Sequence, residues 1–241
     1  MKKGLIALSL LVASNATAQT CIPKPDCADM GYTKTSCSGA YLKCPFDTSK
    51  MACLADENAG RLCLVGYIYY SDGTCDSVVY STKTPIGVVV KTNELVMSLA
   101  TKSMSWASSY VDVSGVTNYT GNTSVQTDYN GKANTLAIVS AYPSDTTSNN
   151  AAKYCNSYST AGTSAGQWYL PAAGEIYGYI YANNRTLETA FGLLGLGFPS
   201  TNLWSSSEYN SGYTWLVTTY SGFVTNYLKY DTYSVSCLLA L

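Results

Sequence analysis

The sequence contains no histidine, and Lys, Arg, Asp and Glu together make up only 12% of its 241 residues. Without imidazole, Ser-His-Asp and Cys-His catalysis and histidine-based metal sites are excluded. Zinc held by cysteine alone is disfavoured as well, because no C-x-x-C pair occurs. Calcium requires clustered oxygen ligands, and the acidic residues of 203 to 235 are too sparse to supply them. Carboxylate pairs drawn from Glu175, Glu188 and Glu208 are the remaining acid–base option for glycan cleavage. Each has a plainer role: Glu175 and Glu188 lie near helix starts, where negative charge complements the dipole, and Glu208 follows a strand. The expectation is therefore a protein that is not an enzyme and that carries no cofactor and no metal.

Basic charge is also scarce. Lys and Arg number 14 against 15 Asp and Glu, without the concentrated positive charge that phosphate binding needs, so nucleic acid is not an expected partner. No apolar run approaches the ~20 residues of a membrane span. The longest, Leu5 to Ala13, follows Lys2 and Lys3 and precedes Ala16-Thr17-Ala18, the pattern of a signal peptide cleaved after Ala18. No cysteine stands just after that run to accept a lipid, so the expected product starts at Gln19 and is exported to the periplasm, cell surface or medium.

What the chain does have is cysteine and tyrosine. Nine cysteines in an exported chain point to disulfides. Cys21, Cys27, Cys37, Cys44, Cys53, Cys63 and Cys75 crowd the N-terminal part in a connectivity the spacing does not specify, whereas Cys155 and Cys237 are isolated. The odd total leaves a thiol that is free, reactive or bridged to another chain. Residues 19–62, with Pro23, Pro25, Pro45, Gly31 and Gly39 between their cysteines, form the expected cysteine-rich N-terminal module.

Residues 63–241 carry the larger expected domain. Asp72-Gly73 between two strand-like runs predicts a hairpin, and Ile86 to Val90 and Leu95 to Ala100 predict two more strands. Residues 101 to 148, rich in Ser, Thr, Asn and Gly, read as long loops. Apolar spacing predicts helices around Ala151 to Tyr158, from Pro171 to Ile180, and from Leu187 to Leu194 with Gly195 as its cap. Four strands follow, at 203–206, 214–219, 223–228 and 234–239. The order strands, helices, strands reads as α+β.

Between Trp204 and Val235 lie six tyrosines among Ser, Thr, Asn and Gly. Tyr offers stiff, half-polar contact area at low entropic cost, and its small polar neighbours supply adaptable hydrogen bonds. The expected ligand-binding set is Tyr209, Asn210, Ser211, Tyr213, Tyr220, Asn226, Tyr227, Tyr230, Asp231 and Tyr233. Trp168, Trp204 and Trp215 are assigned to the core.

The stretch Trp168-Tyr169-Leu170-Pro171-Ala172-Ala173-Gly174-Glu175-Ile176, followed by Leu203-Trp204-Ser205-Ser206-Ser207-Glu208, resembles the Lcl C-terminal-like domain family, and Thr84-Pro85-Ile86-Gly87-Val88-Val89 is similar to that family's opening strand. The resemblance covers residues 63–241. It implies a C-type-lectin-like fold of the formylglycine-sulfatase subgroup, with antiparallel strands and two or three short helices. It also implies ligand binding or surface adhesion by a C-terminal face, in some relatives one diversified by retroelements. Two departures stand out. Ala172 replaces a capping Ser or Thr, and the closing V-R-P-V becomes Val235-Ser236-Cys237-Leu238. In such folds a helix cysteine bridges to the last strand, which here implies a Cys155–Cys237 disulfide. The function expected on this basis is an exported adhesin for an extracellular protein or glycan. The alternatives are a structural surface or appendage subunit assembled through its cysteine-rich module, with an interchain disulfide partner, and a glycan-acting enzyme.

Overall fold

The computed structural model describes residues 62–241, together with the backbones of two short strands, β1 (Tyr41–Lys43) and β2 (Met51–Cys53), which pair antiparallel. The expected signal peptide, most of the cysteine-rich module, and Cys21, Cys27, Cys37 and Cys44 lie outside the described residues.

The remaining strands form two sheets. One has six strands in the order β4-β3-β5-β6-β13-β8, the other five in the order β11-β10-β9-β12-β7. The first comprises β3 (Ile68–Tyr70), β4 (Cys75–Asp76), β5 (Pro85–Lys91), β6 (Leu95–Ser98), β8 (Trp168–Tyr169) and β13 (Leu238–Ala240). The second comprises β7 (Lys102–Ser105), β9 (Asn202–Glu208), β10 (Tyr213–Thr218), β11 (Val224–Leu228) and β12 (Thr232–Val235). The expected Asp72-Gly73 hairpin is present, with Gly73 at φ 81°, and so is the β5–β6 pair.

The apolar runs explain why both sheets lie inside. Val89 packs in one hydrophobic cluster with Val96, Trp168, Leu239, Trp204 and Leu216, while its neighbours Val88 and Val90 pack in another with Met97, Leu238, Leu203 and Trp215. Successive strand residues point to opposite faces, so central strands of each sheet are buried on both sides. Trp168, Trp204 and Trp215 are all buried.

The α+β, C-type-lectin-like expectation is corrected: the body is mostly β, and its five-stranded sheet is mixed, β12 running parallel to β9 at Ser234 and Leu203. Two stretches account for the difference. Residues 101 to 148 supply β7 and the helices α1 (Asn122–Val125) and α2 (Gly131–Ala141) in place of long loops. In α2 only Gly131, Asn134, Thr135 and Ile138 are buried, too few apolar residues to print a helical period on the sequence. The last predicted strand divides at Ser236-Cys237, so that β12 closes one sheet and β13 enters the other. Further helices are α3 (Ala151–Ser157), α4 (Ala173–Glu175, running on as a π-helical turn over Ile176–Tyr181) and α5 (Asn184–Leu193), near the positions expected from spacing.

Two disulfides fix this body. Cys63 is bonded to Cys75 beside the first hairpin, and Cys155 on α3 is bonded to Cys237 where the chain passes between sheets, with Cα atoms 5.4 Å apart in each. Ser98 pins the same crossing: its Oγ accepts from Cys237 N at 3.0 Å and its N donates to Cys237 O at 2.9 Å.

Candidate functional site

Three connections meet at one end of the five-stranded sheet: the β9–β10 turn (209–212), the β11–β12 link (229–231) and the loop 107–118. Lys229 N donates to Gly212 O at 3.1 Å, and Trp106 N donates to Lys229 O at 3.0 Å, which ties the three together. Asn210 is spent on its own turn, its Oδ1 accepting from Gly212 N and Tyr213 N at 2.9 Å each.

Beneath them Lys229 and Glu208 form a wholly buried ion pair. Lys229 Nζ also donates to Val111 O at 2.6 Å and sits 4.5 Å from the Trp106 ring. Val113 N donates to the second Glu208 oxygen at 3.0 Å. Burial pushes the Glu208 carboxyl up and the Lys229 ammonium down from their ordinary values, and each opposes the shift of the other. The Tyr142 hydroxyl closes the same shell by bonding Ser109 O and Val111 O, at 3.2 and 3.3 Å. Sequence reading takes Glu208 and Lys229 as scattered charges in a polar segment. Their partners lie in loop 107–118, about a hundred residues upstream, where no local pattern could reveal them.

This buried shell holds Tyr110 in place. Its ring centroid lies 4.3 Å from that of Tyr230, and the two side chains are 46% and 47% exposed. Tyr213 is also exposed, and half-buried Tyr209 links it to the core, with centroids 6.3 Å from Tyr213 and 5.5 Å from Trp215. Partial desolvation, with Tyr230, Tyr213 and Asp231 nearby, pushes the Tyr110 phenol up.

Among the expected ligand residues, Tyr209, Asn210, Ser211, Tyr213, Tyr230 and Asp231 thus gather at this end, and Tyr110 joins them unforeseen. Tyr227 and Tyr233 form a second group, centroids 5.0 Å apart, that runs inward to Trp204 at 4.9 Å. Burial and a hydrogen bond with Tyr227 push the Tyr233 hydroxyl up to about 12. Asn226 lies on the edge strand β11. Tyr220, 64% exposed, occupies the β10–β11 turn at the far end of β10, a separation of about 20 Å for a strand of that length. The ten residues do not make one continuous patch.

The Trp-Leu-Pro and Trp-Ser-Ser motifs meet in a separate buried network. Ala172 offers no capping oxygen, but Ser207 Oγ from β9 accepts from Ala173 N at 3.0 Å and itself donates to Asp128 Oδ2 at 2.6 Å. Glu175 accepts from Ala172 N at 2.8 Å and from the Tyr169 hydroxyl at 2.9 Å. Burial, opposed by these two donors, pushes the Glu175 carboxyl up to about 7. Glu175 and Glu208 are both enclosed and fully engaged in holding loops and helix starts, whereas Glu188 is exposed on α5.

No family model and no curated protein matches the chain. Among solved structures it is similar to a fimbrial protein from Bacteroides ovatus ATCC 8483, with a TM-score of 0.59 and 18% identity. The match covers 73% of this chain and 48% of that one, so the chain spans about half the length of its structural neighbour. At this identity the likeness is one of fold. The fold is thus similar to part of a fimbrial protein, and the C-type-lectin-like expectation finds no support. Among the described residues, no helix is long and apolar enough to cross a membrane.

Proposed function

We propose that this chain is an exported surface or appendage subunit. The fold likeness to a fimbrial protein carries the reading. The two disulfides of the described body support it, since such bonds persist in oxidising compartments outside the cytosol. Assembly, more than capture of a soluble ligand, is then the main task, and the cysteine-rich module is one place for contact between subunits. The test is to shear the surface of cells producing the chain and to run the released material on gels with and without thiol. High-mass, surface-labelled species support the reading. A monomer confined to the cytosol overturns it.

The exposure of Tyr110, Tyr213 and Tyr230 at one end of the sheet favours a second role for the same subunit. There the Tyr-rich end serves as a recognition face for an extracellular partner, the adhesin-like part of the function. Alanine substitution of these three tyrosines that leaves export intact but abolishes partner adhesion supports this role. Unchanged adhesion counts against it.

A further inference from the structure

The tyrosine end has a definite electrostatic character. Asp231 lies within electrostatic reach of Tyr110 and Tyr233, and Asp112 within reach of the buried ion pair. Asn118 Nδ2 donates to Asp112 Oδ1 at 2.9 Å. The lysine at this end, Lys229, is buried and fully engaged by Glu208, Val111 and Tyr142. Of the other described lysines, Lys102 lies over Tyr154, Lys153 caps carbonyls of 143 and 145, Lys91 pairs with Glu94, Lys83 pairs with Asp72, and Lys132 is exposed in the first turn of α2. The result is a set of exposed phenol faces with the Asp231 carboxylate beside them. Aromatic faces carry negative charge density and attract cations, and a planar guanidinium can stack on a ring while its edge reaches a carboxylate.

We infer that the Tyr110, Tyr213 and Tyr230 faces with Asp231 form a binding site for an arginine side chain presented by a protein partner. The inference rests on reading this end as a contact face and adds the chemistry of what is contacted. Tyr110 supplies the outer ring against Tyr230, and the β9–β10 turn carries Tyr213 alongside. The Glu208–Lys229 pair is a positioning device: it keeps loop 107–118, and Tyr110 with it, against the turn without exposing a positive charge to the ligand.

The experiment titrates the full chain with an amidated Gly-Arg-Gly-Arg-Gly peptide and with its citrulline counterpart, which keeps the shape and lacks the charge, reading tyrosine-ring resonances by NMR. Saturable binding of the arginine peptide, shifting the Tyr110 and Tyr230 resonances, is expected. Binding should weaken about two- to thirty-fold in Tyr110→Ala or Tyr230→Ala, the range of one cation–π contact, weaken as salt rises, and fall several-fold in Asp231→Asn. The Tyr220→Ala variant, altered at the far end of β10, should bind as the wild type does. Equal binding of the citrulline peptide, or binding unmoved by Tyr110→Ala and Tyr230→Ala, overturns the inference. A neutral oligosaccharide that shifts the same rings while the arginine peptide does not would also overturn it, yet would leave the face itself a recognition site.

Discussion

At the scale of single residues, buried charges are the features whose cost can be tested. Lys229 and Glu208 sit at zero exposure with each partly offsetting the other's desolvation penalty, and backbone groups of loop 107–118 take the remaining bonds. Removing one partner of such a pair strands the other and costs about 3–5 kcal/mol. Lys229→Met is expected to lower stability by that amount in urea unfolding, and Lys229→Met with Glu208→Leu to recover much of it. A single variant as stable as the wild type would contradict the description. Glu175 makes a pH prediction of opposite habit to an exposed acid. Its folded value of about 7 lies above the usual carboxyl value of 4.5, so the folded form binds the proton more tightly than the unfolded chain. Its contribution is therefore complete below about pH 4.5 and is lost as pH rises through about 7, amounting to roughly 3 kcal/mol for a shift of that size. Comparing Glu175→Gln with the wild type at both ends of this window isolates the effect: the variant should gain on the wild type as pH rises, and a constant difference would contradict the assignment.

Among the elements, the passage from β12 to β13 governs how the two sheets are joined. Four residues pair in one sheet, two turn, and three pair in the other, with Cys237 at the turn bonded to α3. The cross-link closes a sequence separation of 82 residues, a loop for which the chain-entropy model gives roughly 4 kcal/mol. A Cys155→Ser, Cys237→Ser double variant should unfold at a lower urea concentration by about 2–5 kcal/mol of stability. The tyrosine end, held by Glu208 and Lys229, should keep its ring contacts by NMR at moderate temperature. Loss of those contacts without loss of global stability would show that the disulfide, not the ion pair, positions the end. The start of α4 follows the same pattern of support from a distance, since Ser207 on β9 supplies the capping oxygen that Ala172 lacks.

For the whole molecule, the sequence displays its local pieces well and their arrangement poorly. The Asp72-Gly73 hairpin, the β5–β6 pair, α3, α5 and the tyrosine-bearing strands can all be read from spacing and turn chemistry. The mostly β body cannot, because β4, β7 and β8 are only two to four residues long and α2 buries few apolar side chains. The same limit applies to the site. Tyr209, Tyr213 and Tyr230 stand out by composition, but their companion Tyr110 and the partners of Glu208 and Lys229 arrive from a polar loop through tertiary contacts that leave no periodic trace. The central claim is that this cross-linked two-sheet body is a surface subunit whose tyrosine end makes the contact. Surface-sheared material from cells producing the wild type or the Tyr110→Ala, Tyr213→Ala, Tyr230→Ala variant, sized without boiling, tests it most directly. The account predicts surface-exposed assemblies for the wild type and exported but weakly assembled or non-adherent material for the variant. A chain that remains inside the cell as a monomer, or a variant indistinguishable from the wild type in both assembly and adhesion, would contradict it.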